Sequence, residues 1–150
     1  MARYLAIDYG LRRVGLAWGD LEVGVAVPRK PIVCAPRVSI WRSLEEVVLE
    51  GDVCAFVVGL PLSADGEDST WTVAVRAFAA RLGKHFSMEV HFSDEYYTSQ
   101  QIAEERLKLS RRKEKPHSRR RSGEDDSRTA VLILQDFFND RSQPLGRSLI

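Results

Sequence analysis

The run VCAFVVGLPL, beginning at residue 53, limits the fold more than any other stretch, because residues 53–60 carry no charge and no polar–apolar alternation. A strand of this kind is covered on both faces, since a face open to water would show polar residues at every second position. The chain must therefore supply helices to both sides of a sheet.

The flanking segments supply the remaining elements. Residues 3–8 and 14–18 are β-type runs separated by YGLRR, and residues 22–33 form a third run interrupted by Pro28 and Pro31. This order predicts an antiparallel meander with the prolines at its far edge or exit. In SIWRSLEEVVLE, Ile40, Leu44, Val47 and Val48 recur at helical spacing behind Ser39 as N-cap. After the buried strand comes the turn-like ADGED, then a long helix from Ser69 with Val73, Ala77 and Ala80 on its apolar face, then a strand MEVHF ending at SDEYYTS. Thr98 and Gln101 have capping-box spacing and predict a helix through Leu109. Residues 110–123 are polar and basic and predict a mobile loop. A last helix opens near residues 124–127 and runs to about Phe138, leaving a tail at 139–150. The expected fold is α/β, a mixed five-stranded sheet with helices on both faces, in one domain spanning residues 1–138. The later strands are expected to run parallel through right-handed crossovers.

With 150 residues, 44% hydrophobic and 29% charged, the composition is that of one domain with one core. Any site is then assembled from segments distant in sequence. Cys34 and Cys54 stand in or beside apolar runs without metal-ligand spacing and are expected as reduced, buried thiols. MARYLAIDYG lacks the apolar core of a secretory signal, and no run approaches the roughly 20 apolar residues that span a bilayer, so a cytoplasmic protein without membrane association is expected.

Three acids draw attention by position. Asp8 ends the first strand, and the ends of central strands are where sites gather in open α/β sheets. A carboxylate placed there is paired, capped, solvated by a cleft or bound to a cation, because burial without compensation costs several kcal/mol. Asp94 and Glu95 stand directly after the MEVHF strand, where an acid can equally serve a following helix N-terminus. On the last helix, Asp126 shares a face with Ala130, Ile133 and Phe137, whereas Asp125 shares one with Thr129, Leu132 and Asp136. Asp126 is therefore expected on the sheet-facing stripe. Convergent carboxylates repel unless a cation neutralises them, and oxygen-only ligands suit Mg²⁺ or Mn²⁺. Two such ions roughly 4 Å apart suit phosphodiester hydrolysis.

The segments DYGLRRVGLA (from Asp8), VVGLPLSADG (from Val57), DEYYTS (from Asp94) and DDSRTAVLIL (from Asp125) resemble, in order and spacing, the YqgF/RuvX family. The resemblance runs from Tyr4 to about Phe138. It implies an RNase H-like fold related to the RuvC resolvases, and an activity named as pre-16S rRNA nuclease or, earlier, Holliday junction resolvase. It implies that Asp8, Glu95 and Asp126 are the catalytic and metal-binding acids. Tyr96 stands where the family often has arginine, and Asp125-Asp126-Ser127 where it often has a Val-Asp-Ser-like start.

The net charge of +1 conceals a local excess, since residues 111–121 hold seven Lys or Arg against one Glu. Beside an acidic site, Arg111, Arg112, Lys113, Lys115, Arg119, Arg120 and Arg121 are expected to bind nucleic-acid phosphates. Arg12 and Arg13 either join them or solvate a hairpin turn. His85, His91 and His117 lack ligand spacing, and Trp18, Trp41 and Trp71 are expected to pack rather than to stack on bases. The leading expectation is a metal-dependent endonuclease of structured precursor rRNA, with ribosomal particles among its partners and a monomeric or homodimeric state. The alternatives are a branched-DNA resolvase, which calls for a symmetric dimer, and a non-catalytic nucleic-acid or transcription-associated scaffold. Asp-x-Gly also opens the phosphate motif of actin-like kinases, but those need two such domains.

Overall fold

A computed structural model describes residues 2–63, 65, 67–97 and 127–141. Five strands form one mixed sheet in the order β3-β2-β1-β4-β5. β1 (Arg3–Asp8), β2 (Arg13–Asp20) and β3 (Val27–Val33) make the antiparallel meander, while β4 (Val53–Ser63) and β5 (Glu89–Tyr97) run parallel to β1. Pro28 and Pro31 fall on the edge strand β3, where a missing amide costs least.

Helices α1 (Ile40–Gly51) and α2 (Thr70–Phe86) cover one face, and α3 (Arg128–Arg141) covers the other. Ser39 caps α1 by accepting from the Arg42 amide at 3.3 Å. α2 opens on a full capping box between Ser69 and Thr72. The β4 run is buried on both sides: Phe56 and Val58 face α1 and α2 together with Leu5, Ile7 and Leu16, while Val57 faces α3 together with Ala6 and Ala17. The small Ala6 and Ala17 let α3 lie close, and its Ile133, Leu134, Phe137 and Phe138 fill the layer.

Several expectations need correction. The buried stripe of α2 is Val75, Phe78, Ala79 and Leu82, whereas Val73, Ala77 and Ala80 are exposed. With alanines and branched residues all around this helix, periodicity alone selected the wrong face. β3 starts at Val27, because residues 21–24 form the turn that precedes it. β5 extends through Tyr97, so Asp94 and Glu95 lie within the strand rather than after it; pairing with the long β4 outweighs their weak strand propensity. Cys54 is exposed at the start of β4, and only Cys34 is partly buried. The last helix continues to Arg141. The expected helix from Thr98 to Leu109 and the basic loop at 110–123 lie outside the described residues.

Candidate active site

Asp8 is the last residue of β1, half-buried, with Gly15 of β2 as its register partner. On its other side, β1 and β4 are in register at Ile7 and Val58, so the next residue of β4, Gly59, stands at the Asp8 level. Neither neighbouring strand carries a side chain at that level. Glycines inside strands often mark such a close approach to a ligand, and the two glycines are a signal in the sequence that the motif reading had passed over.

The turn after Asp8 is tightly closed. A Cβ on Gly10 would come within 2.5 Å of the Arg13 carbonyl oxygen, so the glycine of the DYG motif is required by its own turn. The Cys34 amide donates to the Arg12 carbonyl at 2.7 Å, tying this turn to the end of β3. Cys34 is packed beneath it, and burial pushes its thiol pKa up. Arg12 is half-buried and Arg13 exposed, both on the segment that follows Asp8.

Position 95 reaches the same face of the sheet as Asp8. Val57 pairs with His91, Gly59 with Ser93 and Pro61 with Glu95, and this series belongs to the α3 side, where the rings of His91, Tyr4 and Phe137 meet. β1 and β5 flank β4, which separates Asp8 and position 95 by about 10 Å across the sheet and about 7 Å along it. Asp94 belongs to the opposite face, where its charge acts on Arg76; that guanidinium is held further up in pKa by its hydrogen bond to Asp68, with Asp94 adding a smaller electrostatic contribution.

The start of α3 is fixed to the same end of the sheet by a residue that sequence reasoning missed. Between Val14 and Leu16 the β2–β3 register shifts, with the extra residue on β3 at Lys30–Pro31. The fully buried Ser127 hydroxyl accepts from the Leu16 amide at 3.2 Å and donates to the Arg29 carbonyl at 2.6 Å. It completes the ladder at the bulge and pins the helix beside the strand paired with Asp8. Its sequence signal, a serine opening a helix, is too common to single out.

Along α3 the expected stripe holds: Ala130, Ile133 and Phe137 are buried, whereas Leu132 and Asp136 are exposed. Asp126, the residue before Ser127, lies outside the described residues, as do Asp125, Arg111, Arg112, Lys113, Lys115, Arg119, Arg120 and Arg121. Among the described residues there is no cluster of three or more metal-ligating side chains.

Comparison with known proteins decides the kinship. Residues 2–140 match the family model described as RuvX, Holliday junction resolvase. The chain belongs to the RuvX family. Proteins named "Putative pre-16S rRNA nuclease" resemble this RuvX chain over nearly their whole length. That of Opitutus terrae is 41% identical, covering 95% of this chain and 94% of its own, and that of Oleidesulfovibrio alaskensis is 38% identical, covering 95% and 98%. The solved structure of Thermus thermophilus RuvC, in complex with a Holliday junction substrate, superposes with a TM-score of 0.50 at 17% identity, covering 94% of this chain and 96% of that one. The fold is RNase H-like, and the RuvX chain is a nuclease. No helix among its described residues is long and apolar enough to cross a membrane.

Proposed function

We propose that this chain is a cation-dependent endonuclease that processes precursor 16S ribosomal RNA in the cytoplasm, with Asp8, Glu95 and Asp126 holding the cation. The carrying observation is the shared sheet face: Asp8 and position 95 fall on the α3 side at the carboxyl end of parallel strands, with bare glycine backbone between them. Ser127 anchors the start of α3 at the β2–β3 ladder, one strand from β1, which supports a part in the site for the acid that precedes it in sequence.

The donor set fits a hard divalent ion such as Mg²⁺ or Mn²⁺, since it offers carboxylate oxygens and no sulfur. Among the described residues, the nearest imidazole on that face, His91, is engaged by Tyr4, Phe137 and Arg141 two register steps below Gly59. Cations bound there supply Lewis-acid polarisation of the phosphodiester and an activated water. The chain's own part is to hold three negative charges in fixed array, keep the floor of the site free of side chains, and grip the substrate backbone through residues 111–121 with Arg12 and Arg13 beside Asp8.

The test is cleavage of purified precursor 16S rRNA, with a four-way DNA junction in parallel, in Mg²⁺ or Mn²⁺. We expect rRNA to be cut, and Asp8→Asn and Asp126→Asn each to lose more than the roughly 10- to 100-fold that follows loss of a residue merely supporting a ligand. Cleavage persisting in both variants removes the three-acid mechanism. Cutting of the junction alone, by a dimer in solution, assigns the chain to branched DNA, the activity by which its family is described.

A further inference from the structure

The residue after Asp8 enters an aromatic column. The Tyr9 ring lies 4.1 Å from the Phe78 ring at 11° between planes, and 5.5 Å from the Trp71 ring at 5°. Phe78 and Trp71 are seven residues apart on α2, about 10 Å along its axis, so Tyr9 fills the gap between them. Phe78 is buried at the inner end of the column, and Trp71 is its half-buried outer end. Among the described residues no further ring stacks on Trp71.

The placement of Trp71 is rigid and is tied to the candidate site twice. Tyr9 connects it to Asp8 through one peptide bond. The capping box that opens α2 is fastened to the sheet, because the Thr72 hydroxyl donates to the Pro61 carbonyl, and Pro61 is the register partner of Glu95. The outer indole face therefore stands at the carboxyl edge of the sheet, between the strand ends that carry positions 8 and 95. It lies on the side opposite the acids: Asp8 belongs to the α3 face, while Tyr9 packs with the α1–α2 layer.

We infer that Trp71 is a stacking platform for an unpaired nucleobase next to the cleaved phosphate. A strand laid along this edge puts its phosphate on the acid side and turns its base to the indole, where it extends a column of three nearly parallel rings. Stacking of this kind is tolerant of sequence, because every base offers a π-face, and it requires a base released from pairing. The chain would thus prefer flexible or single-stranded positions over continuous duplex. The inference rests on the nuclease reading above and adds the substrate feature which that site selects.

The experiment uses an RNA oligonucleotide carrying 2-aminopurine, single-stranded or annealed to its complement, with Asp8→Asn present throughout to prevent cleavage. We expect the single strand to bind and its 2-aminopurine emission to fall. Adding Trp71→Leu should weaken that binding roughly 5- to 100-fold and abolish the quenching, while leaving duplex affinity unchanged; Trp71→Phe should retain most of both. Equal single-strand binding with and without Trp71→Leu overturns the platform and leaves the nuclease intact, whereas an Asp8→Asn chain with Trp71 in place that binds RNA in neither form overturns both. Because Trp71→Leu also takes a ring out of the packing of α2, a Trp18→Phe/Trp41→Phe chain gives a second reading, with Trp71 as its sole tryptophan. Quenching of its emission by the single strand but not the duplex supports the platform, and no quenching by the bound single strand sinks it.

Discussion

Ser127 shows how one hydroxyl can fix the start of a helix against a sheet. Ser127→Ala leaves the Leu16 amide and the Arg29 carbonyl buried without their partner, which costs about 1–3 kcal/mol. Scanning calorimetry should show a melting temperature lower by roughly 2–10 °C, and rRNA cleavage should fall with it if the proposed site includes the start of α3. Asp8→Asn should behave in the opposite way. It removes one charge from the proposed three-acid site, so the variant should melt no earlier than the parent while cleavage is lost. Addition of Mg²⁺ should raise the melting point of the parent, by binding only the folded state, and should not raise that of Asp8→Asn. The two cysteines should separate under brief alkylation at neutral pH. Peptide mapping should find exposed Cys54 labelled first, since Cys34 is half-covered and burial disfavours its thiolate.

At the scale of elements, what was legible in the sequence followed the strength of each local pattern. β4 was plain because eight uncharged residues admit one environment, and the α3 stripe was plain because Ala130, Ile133 and Phe137 recur at three- and four-residue spacing, on one helical face. α2 was misread because its two candidate faces differ by alanines, which suit a core and a surface alike. The extension of β5 was hidden because acids in a strand are tolerated only by virtue of pairing with β4, a long-range fact. Asp8 and Glu95 were singled out by their expected places at strand ends and by motif order, whereas the facing glycines and the bulge that receives Ser127 exist only once strands are in register. α3 holds its face of the sheet largely through aromatics. Phe138→Ala, at a side chain 1% exposed, should lower unfolding free energy by about 3–5 kcal/mol in a urea titration.

For the whole molecule, a net charge of only +1 leaves the basic stretch at 111–121 as the local excess proposed to grip a polyanion. Replacing Arg119, Arg120 and Arg121 with glutamine should flatten the slope of log affinity against log salt by about 2 for single-stranded RNA. Filter binding from 50 to 300 mM salt, where the Debye length is about 8 Å near the middle of the range, measures it; an unchanged slope would mean the stretch does not touch phosphate.

The hydroxyl bridge at the β2–β3 bulge also has a consequence in time. Leu16 and Ser127 are 111 residues apart in the chain. During synthesis the meander leaves the ribosome long before the residue that completes its ladder, and it waits with one amide and one carbonyl open to water. Folding of the first three strands can then be only provisional until the last helix is made, so a chain stopped short of residue 127 should exchange its Leu16 amide hydrogen freely. Deuterium uptake at that single amide would report when the enzyme becomes whole.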